Sequence, residues 1–516
     1  MPDRLDQPDV TIPDLFAAHA RHCASKTAVA MGGEVRSWGD FGANIDRVAN
    51  GLIAGGLAKG ERVAVLMGNA PTTLEAIFGV VRAGGVAVPL SGLLTGEQLA
   101  GLVADSGAVG AIVAAEFRER AEPARGDLGV VRRWLSHGFE GEGWEPLAAM
   151  MAGAAATPPG VKHSLDDDFN IIYSSGTTGL PKGIVQTHRA RLHWAFSNAV
   201  EMGYQADARA LTTTALYSNG TWLAMLPALF AGGTVHVMPN FTAADFLATV
   251  ERERITHTFM VPPQFIAVLA DLALESADLS SLRMVLSAGS PLRRDTKREI
   301  LERISPRLHE IYGFSEGFAT MLRPDQHAEK FATVGTPVLG FEVRVLRENG
   351  TVCGPGEAGE IAGHGAGNMA RYHDRDEQTA ELIWRDEFGR TFLRSGDIGA
   401  LDEDGFLTIL DRKKDMIISG GLNVFPADVE AIVGEHPEVA DVAVIGIPHE
   451  KWAETCLALA IPAPGRSPEP EAIRDWANGR LAKHQRLSAV ELREEFPRNA
   501  LGKVLKRELR APYWSE

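Results

Sequence analysis

The stretch E-R-V-A-V-L-M-G-N-A-P-T-T-L-E-A-I-F-G-V-V-R-A-G-G-V-A-V-P-L, Glu61 to Leu90, is the basis for predicting the fold class. It opens with an apolar run of strand length, and from Pro71 onward apolar residues recur at helical spacing. The helical positions are Leu74, Ile77, Phe78 and Val81. The pair Gly84-Gly85 ends the helix, and V-A-V-P-L supplies a second apolar strand. We therefore predict two buried parallel strands joined by a helix.

The alternation of strands and helices continues along the chain. Thr95 and Gln98 form a capping-box pattern that opens another helix. Apolar strands are predicted again at L-R-M-V-L-S (282–287) and L-H-E-I-Y (308–312), with a helix after Pro291 between them. Strands that alternate with helices are typical of a layered α/β fold, which is the class that we predict.

The composition changes at residues 402–421, where D-E-D-G-F-L-T-I-L-D-R-K-K-D is followed shortly by I-I-S-G-G. We interpret this segment as the junction between a large N-terminal domain, residues 1–411, and a small α+β domain, residues 412–516. The small domain is predicted to contain a helix near 426–433, strands near 439–447 and 455–461, and a helix within 469–481. The alternative is that residues 402–416 form a charged hairpin inside one domain.

The bulk composition excludes several classes of protein. Lys and Arg number 51 against 67 Asp and Glu, and the resulting net charge of −16 disfavours nucleic acid as a partner. Three cysteines without metal-type spacing, and an N-terminus without a signal-type apolar run, predict a cytoplasmic protein. The uncharged stretch Leu211 to Ala244 contains Pro227 and Gly232-Gly233, so we predict a buried helix and strand there rather than a membrane span.

The strongest local signal is Y-S-S-G-T-T-G-L-P-K-G, Tyr173 to Gly183, directly after an apolar strand. Glycines let backbone N–H groups converge on an anion, hydroxyl groups add donors, and Lys182 adds a positive charge, so the segment suits a polyphosphate. It is not a Walker loop, because Pro181 stands where that motif requires glycine. The alternative is a flexible linker. The candidate phosphate-binding residues are Ser174, Ser175, Gly176, Thr177, Thr178, Gly179 and Lys182.

This segment resembles the phosphate-binding signature of the adenylate-forming superfamily, which includes acyl-CoA synthetases, aryl-CoA ligases, peptide-synthetase adenylation domains and beetle luciferases. Further motifs follow in the family's order: S-A-G-S-P-L (287–292), I-Y-G-F-S-E-G (311–317), F-L-R-S-G-D-I-G (392–399), the segment 411–430, and F-P-R-N-A-L-G-K-V-L-K (496–506). With the early R-A-G-G-V-A-V-P-L, the resemblance covers residues 10 to 510 or so. It implies a large adenylation domain followed by a small mobile C-terminal domain.

The resemblance implies an ATP-dependent carboxylic acid–CoA ligase. Such an enzyme converts acid and MgATP to acyl-AMP and pyrophosphate, and then transfers the acyl group to the thiol of CoA. ATP, Mg²⁺ and CoA are thus the expected cofactors. One alternative within the superfamily is an adenylating enzyme that loads a carrier protein or oxidises the adenylate, as luciferases do. An alternative from another class is a nucleotide- or acyl-binding sensor without catalysis.

The resemblance assigns roles to five charged residues. Glu316 matches the family's magnesium ligand, and Lys182 faces the phosphates. Asp397 accepts hydrogen bonds from the ribose hydroxyls, and Arg412 faces the ribose or a phosphate. Lys503 is expected to bridge the acid carboxylate and the α-phosphate, because a point cation stabilises the charge that develops there.

The remaining nucleotide-site positions are carried over from the same motifs. They are Ser287, Gly289, Ser290, Pro291, Tyr312, Gly313, Phe314, Ser315, Gly420 and Gly421. Ser315 stands where the family more often has threonine, which preserves the hydroxyl group. Lys414 matches the hinge about which the small domain is expected to rotate, exchanging Lys503 for the loop at 419–421.

The acyl pocket is the least determined part of the site. Many acyl-CoA synthetases carry an H-x-x-G gate, and here A-L-Y-S-N-G places Tyr217 at the histidine and Gly220 at the glycine. The candidate pocket residues are Tyr217, Asn219, Trp222, Phe265, Gly289, Gly313 and Phe318. A medium- or long-chain fatty acid is the preferred substrate, with an aryl or alicyclic acid as the alternative. The oligomeric state is left open, a homodimer being one option.

Overall fold

The computed structural model describes residues 9–127, 129–174, 181–419, 422–450, 452–498 and 503–514. The chain forms two compact units. The first unit comprises Met1–Ala328, Pro337–Glu342 and His364–Ile383, and the second comprises Glu329–Thr336, Val343–Gly363 and Trp384–Glu516. The predicted domain boundary at 411/412 stays a prediction.

Helices and strands alternate through much of the first unit, whereas strands predominate in the second unit up to helix α14. The helices are α1 (Ile12–His22), α2 (Trp38–Ala54), α3 (Pro71–Arg82), α4 (Gly96–Asp105), α5 (Arg118–Asp127), α6 (Leu147–Gly153), α7 (His188–Glu201), α8 (Asn219–Phe230), α9 (Ala243–Glu253), α10 (Pro262–Ala270), α11 (Arg294–Glu299), α12 (His327–Lys330), α13 (Asp376–Glu381), α14 (Pro426–Val433), α15 (Pro470–Asn478) and α16 (Lys506–Trp514). The strands are β1 (Thr27–Met31), β2 (Glu34–Ser37), β3 (Arg62–Leu66), β4 (Val86–Pro89), β5 (Gly110–Ala114), β6 (Arg133–His137), β7 (Glu145–Pro146), β8 (Asp168–Ser174), β9 (Lys182–Thr187), β10 (Arg209–Thr212), β11 (Thr234–Val237), β12 (His257–Met260), β13 (Met284–Ser287), β14 (Leu308–Gly313), β15 (Ala319–Leu322), β16 (Thr336–Pro337), β17 (Phe341–Leu346), β18 (Gly359–Gly365), β19 (Arg371–Tyr372), β20 (Ile383–Arg385), β21 (Thr391–Leu401), β22 (Leu407–Arg412), β23 (Ile417–Ser419), β24 (Leu422–Val424), β25 (Val439–His449), β26 (Ala453–Pro462) and β27 (Leu487–Leu492).

Two large sheets build the first unit. One has the strand order β15-β14-β13-β12-β10-β11-β1-β2, and its strands from β14 to β1 run parallel. The other has the order β19-β9-β8-β4-β3-β5-β6-β7, with parallel strands from β8 to β7 and an antiparallel β8–β9 pair. The predicted α/β fold is confirmed.

The stretch Glu61 to Leu90 forms the predicted strand, helix and strand, with β3 and β4 parallel. Helix α3 contacts β3 and β4 of one sheet and β1 of the other, so it lies between the sheets. Ala64, Val86 and Val88 of this stretch are buried in a core that α4 also covers. A helix covered by sheets on both sides has no face left for water, which explains why α3 is buried along almost its whole length.

Short sequence patterns also determine where helices and strands begin and end. The capping box predicted at α4 is present, because Gln98 N donates to Thr95 Oγ1 at 3.3 Å and Thr95 N donates to Gln98 Oε1 at 3.0 Å. Leu211 to Ala244 contains helix α8 and strand β11, as predicted. In the part of the chain that is described, no helix is long and apolar enough to cross a membrane.

The second unit contains two smaller sheets. Strands β17-β18-β21-β20 form one sheet, with β22 paired to β21, and β24-β23-β26-β25 form the other, with β27 paired to β26. Along β26, Cys456 and Ala458 face a core shared with α14 and α15, while Leu457 and Leu459 face a core shared with α16. The helices and strands predicted beyond residue 425 are all found.

Residues 402–421, which we interpret as a domain junction, begin in the turn of an antiparallel hairpin, the arrangement named in the alternative for residues 402–416. Strands β21 and β22 pair from Leu401 and Leu407 to Asp397 and Arg412. The turn is closed by Asp402, whose carboxylate accepts the N–H groups of Asp404 and Phe406. This hairpin is the feature that brings two of the predicted site residues opposite each other.

Candidate active site

In the first unit, the structure brings Lys182 and Glu316 together at a third residue, Tyr372. Lys182 begins β9, Glu316 follows β14, and Tyr372 lies on β19, which pairs with β9. The Tyr372 hydroxyl donates to Glu316 Oε1 at 2.6 Å, and Lys182 Nζ lies 4.6 Å from the centroid of the Tyr372 ring. The Glu316 carboxylate thus lies at the hydroxyl group of Tyr372, and the Lys182 ammonium group lies over the face of the same ring.

The environment keeps this phenol neutral. Burial first, and then the charge of Glu316 and the hydrogen bond to it, raise the pKa of Tyr372. The hydroxyl therefore remains a donor to the Glu316 carboxylate at physiological pH.

The donor set suits a magnesium ion that is held mainly by phosphates and water. Among the described residues, Glu316 Oε2 accepts no hydrogen bond, and no group of three or more His, Cys, Asp or Glu side chains comes together. Mg²⁺ characteristically takes one or two carboxylates and completes its shell with substrate phosphates and water. Glu316 is the residue that would hold it.

The parallel strands β13 and β14 position the next predicted residues. Their register aligns Ser287 with Glu310, so Ser287, Gly289 and Glu316 all follow from the carboxyl ends of adjacent strands, where α/β sheets bind ligands. The Ser287 hydroxyl is buried and has no hydrogen-bond partner among the described residues. Ser290 and Pro291 continue the same loop.

Two glycines of this region are required by the backbone. Gly289 has a φ of 92°, a conformation that other residues rarely adopt. A Cβ atom on Gly313 would lie 3.0 Å from the Phe318 carbonyl oxygen and 3.2 Å from the Ala319 Cβ. Tyr312 and Gly313 belong to β14, so a side chain at position 313 would require β15 to shift by a few tenths of an ångström.

The segment after β14 is held by polar and aromatic contacts. Gln186 Nε2, on β9, donates to the backbone carbonyl of Ser315 at 2.9 Å. The rings of Phe314 and Phe318 pack edge to face with their centroids 5.1 Å apart. The loop that carries Glu316 is thus tied to the strand that begins with Lys182.

Most of the phosphate loop lies outside the described residues. This applies to Ser175, Gly176, Thr177, Thr178 and Gly179, and in the second unit to Gly420 and Gly421. The loop's two ends are described: Ser174 ends β8, and Lys182 begins the antiparallel neighbour β9. The phosphate-binding role of these residues stays a prediction.

In the second unit, the hairpin pairs Asp397 with Arg412. Arg412 Nε lies 2.7 Å from Asp397 Oδ1, and the Asp397 side chain is 6% exposed. Nearby, Glu360 accepts from Arg394 at 2.9 Å and from Lys413 at 3.0 Å. An ionised carboxylate next to guanidinium and ammonium groups can bind hydroxyl groups of a sugar while remaining charge-balanced.

Lys503 belongs to the same electrostatic environment. Burial first, and then the charge of Arg412, lower the pKa of Lys503 to about 8, while Asp397 acts in the opposite direction. The group is therefore mostly protonated at neutral pH but close to its titration range. Lys414 lies in the short turn between β22 and β23, and its carbonyl accepts from Arg510 Nη1 at 3.4 Å. An element-terminal position is compatible with a hinge, which stays a prediction.

The predicted acyl-pocket residues fall into two kinds. Trp222, Phe265 and Phe318 are almost fully buried, and Trp222 packs against Phe78 and Phe169 in the core. Tyr217 is half-buried just before α8, and Asn219 is the first residue of that helix. Only Tyr217 and Asn219 therefore offer accessible side-chain surface in this group.

A buried arginine, which the motifs did not indicate, lies directly behind Asn219. Arg191 Nη1 donates to Asn219 Oδ1 at 2.8 Å, Arg191 Nε donates to Asn170 Oδ1 at 3.0 Å, and its guanidinium carbon lies 4.7 Å from the Trp222 ring centroid. Burial lowers the pKa of Arg191 to about 9, and no carboxylate pairs with it among the described residues. An arginine in an otherwise mixed helical stretch has no sequence signal that distinguishes it from a surface residue.

Comparison with known proteins identifies the family of this chain. Two family models match the chain, AMP-binding enzyme over residues 16–373 and AMP-binding enzyme C-terminal domain over residues 428–503. Feruloyl-CoA synthase from Amycolatopsis sp is 36% identical over 496 residues, with 95% of this chain and 96% of the relative covered. Indoleacetate–CoA ligase from Aromatoleum aromaticum is 33% identical over 497 residues, with 95% and 96% covered.

The fold agrees with a solved structure as well. The crystal structure of ATP-bound MatB from Rhodopseudomonas palustris superposes with a TM-score of 0.89 at 28% identity, covering 98% of this chain and 99% of that one. The predicted large N-terminal and small C-terminal domains and the predicted enzyme class, an AMP-forming acid–thiol ligase, are confirmed. Since one family model spans more than half of the chain and its C-terminal companion follows in order, this chain belongs to the AMP-binding enzyme family, the adenylate-forming superfamily whose motifs it carries.

Proposed function

We propose that this enzyme joins an aromatic carboxylic acid to CoA, using MgATP and an acyl-AMP intermediate. The observation that carries the proposal is the grouping of Lys182 and Glu316 around Tyr372, since one group suits phosphate and the other suits a phosphate-bound magnesium ion. The family membership and the ATP-bound structural neighbour support the choice of nucleotide.

In the first half-reaction, a carboxylate oxygen of the acid attacks the α-phosphorus of ATP. The bond to the bridging oxygen of the β-phosphate breaks, and pyrophosphate leaves with the electron pair. Lys182 binds the phosphates, and Asp397 orients the ribose. Glu316 would hold a magnesium ion, which would supply positive charge that neutralises the phosphates. Lys503 stabilises the negative charge that builds between the carboxylate and the α-phosphate.

In the second half-reaction, the sulfur of CoA attacks the acyl carbon, and AMP leaves as the mixed anhydride breaks. The thiol proton is released, and a thioester bond replaces the acyl–phosphate bond. Rotation about Lys414 is the proposed means of removing Lys503 from the reacting atoms once the adenylate has formed.

An aromatic acid with a polar substituent suits the acyl site better than an alkyl chain. Arg191 engages Asn219 Oδ1, and Asn219 Nδ2 makes no hydrogen bond among the described residues. An amide donor facing an alkyl chain would lose its hydration without compensation, whereas a phenol or ether oxygen would satisfy it. The feruloyl- and indoleacetate-specific names of two relatives point the same way. The fatty acid preferred from the sequence is thereby the second choice.

A panel of acids tests the proposal. We expect pyrophosphate release with ATP and MgCl₂ to be fastest with ferulate or indoleacetate and slower with octanoate or palmitate. The nucleotide product should be AMP, and CoA should be consumed in equal amount. Formation of ADP and phosphate would contradict the mechanism. ATP binding without acid-dependent pyrophosphate release would favour the sensor alternative, and a preference for palmitate would contradict the substrate class.

The lowered pKa of Lys503 predicts a pH dependence of the first half-reaction. Because the ammonium form is the active one, kcat/KM for pyrophosphate release should fall as the pH rises through about 8. The fall should approach tenfold per pH unit above that value. Lys503→Arg is the control, since a guanidinium group stays protonated and should flatten the alkaline limb. Superimposable pH profiles for the two proteins would contradict this assignment.

A further inference from the structure

We propose that Tyr372 is a positioning residue that keeps Glu316 and Lys182 available to Mg²⁺ and to phosphate. This inference rests on the proposed function and adds to it a residue that lies outside the recognised motifs. Tyr372 stands in the segment G-N-M-A-R-Y, between the motif of Glu316 and that of Asp397. Its role follows from four hydrogen bonds and from the contact of its ring with Lys182.

Two of the contacts hold Glu316. Met369 N donates to the backbone carbonyl of Glu316 at 2.6 Å, and the Tyr372 hydroxyl donates to its side-chain Oε1 at 2.6 Å. Both the backbone and the carboxylate of Glu316 are therefore fixed by one short segment. With Oε1 engaged, Oε2 is the oxygen left to a metal ion.

The other contacts tie the same segment to the strand of Lys182. Ala370 N donates to Val185 O at 2.9 Å, and His373 N donates to Gly183 O at 2.7 Å, so that Tyr372 is aligned with Ile184 of β9. Tyr372 is 4% exposed, so close packing by its neighbours holds the ring in place. Tyr372 thus fixes the position of Glu316 relative to the strand that begins with Lys182.

The ring also separates two opposite charges. Lys182 Nζ lies over the face of the ring at 4.6 Å from its centroid, and no ion pair joins Lys182 to Glu316 among the described residues. A direct ion pair would occupy both groups and would compete with phosphate and metal. The phenol instead donates to the carboxylate and attracts the ammonium group with its π face. The Glu316 carboxylate and the Lys182 ammonium group therefore both remain available to the MgATP complex.

Two substitutions at Tyr372 separate the effect of its hydroxyl group from the effect of its ring. Tyr372→Phe keeps the ring and removes the donor, so it should affect Glu316 alone. Tyr372→Leu removes both the donor and the ring, so Lys182 should be affected as well. Tyr204→Phe is the matched control, because Tyr204 is another buried tyrosine of the first unit and its hydroxyl has no partner among the described residues.

Binding measurements on the full-length enzyme test the proposal without depending on turnover. Calorimetric titration of ATP at a series of MgCl₂ concentrations gives the Mg²⁺ concentration at which binding is half-enhanced. We expect about a tenfold increase of that concentration in Tyr372→Phe, as is typical when a partner of a metal ligand is removed. Tyr372→Leu should in addition weaken ATP binding at saturating MgCl₂, and Tyr204→Phe should match the wild type.

A double variant distinguishes action through Glu316 from a general effect on folding. If Tyr372 works through the carboxylate, Tyr372→Phe should add no further change to the Mg²⁺ dependence of Glu316→Gln, and melting temperatures should stay close to that of Tyr204→Phe. A wild-type Mg²⁺ dependence in Tyr372→Phe, or additive effects in the double variant, would overturn the inference. Absence of acid-dependent pyrophosphate release in the wild type would instead overturn the proposed function, so the two failures are distinguishable.

Discussion

Lys503→Ala is expected to lower the rate of acid-dependent pyrophosphate release by about 10²- to 10³-fold, the loss typical of removing one group that stabilises transition-state charge. Thioester formation from chemically supplied acyl-adenylate and CoA should change little, because rotation about Lys414 is proposed to remove Lys503 from the reacting atoms before that step. The measurement is a comparison of the two half-reactions, pyrophosphate release and CoA consumption, in the same preparation of enzyme.

The control for this result is another lysine of the second unit. Lys330 is paired with Asp402 at 2.8 Å and lies over the ring of Phe406, and it has no assigned role in the reaction. Lys330→Ala should leave both half-reactions near wild-type rates. An equal loss of rate in both half-reactions of Lys503→Ala would refute the assignment of Lys503 to the first half-reaction alone.

Glu430→Gln is expected to destabilise the second unit by about 3 kcal/mol, because it leaves an ammonium group without its matching charge in a largely desolvated position. Glu430 Oε1 lies 2.7 Å from Lys506 Nζ, and the two side chains are 22% and 19% exposed. Glu430 also accepts the N–H group of Val444 at 2.7 Å, and burial raises its pKa. Chemical denaturation, with hydrogen exchange to locate the change at α14 and α16, measures the effect.

The position of this ion pair connects stability to the proposed mechanism. Lys506 begins α16 three residues after Lys503, so the pair lies next to the lysine that is proposed to act in the first half-reaction. Asp475→Asn, which breaks an exposed pair with Arg474 in the same unit, should cost less than about 1 kcal/mol. Removing the ammonium group as well, as Glu430→Gln with Lys506→Met, should recover most of the lost stability, because glutamine still offers an acceptor to Val444 N. A Glu430→Gln protein as stable as Asp475→Asn would contradict this account.

Sequence patterns were sufficient wherever the determinant is local. The spacing of apolar residues between Glu61 and Leu90 predicted two strands and a helix, and the pair Thr95 and Gln98 predicted the cap of α4. Both depend on residues a few positions apart, whose geometry follows from the helical and extended periods of the backbone. The ordered motifs likewise predicted the family, because several short matches in one order are specific even when each alone is weak.

Contacts between distant segments were decided only by the tertiary structure. Tyr372 and Glu316 are 56 positions apart, and no periodicity relates them. They meet because β19 adds to the edge of one sheet beside β9 while Glu316 leaves the other sheet at the end of β14. Arg191 reaches Asn170 and Asn219 in the same manner, through the packing of α7 and α8.

The amino-acid sequence by itself therefore determined which chemical groups are present and which local secondary structure they form. It also determined the family to which the chain belongs. Strand register and packing decided which of those groups became partners, how deeply each is buried, and hence the lowered pKa of Lys503 and the pairing of Asp397 with Arg412. The physical reason is that burial and charge pairing depend on the three-dimensional neighbours of a side chain, which local periodicity leaves undetermined.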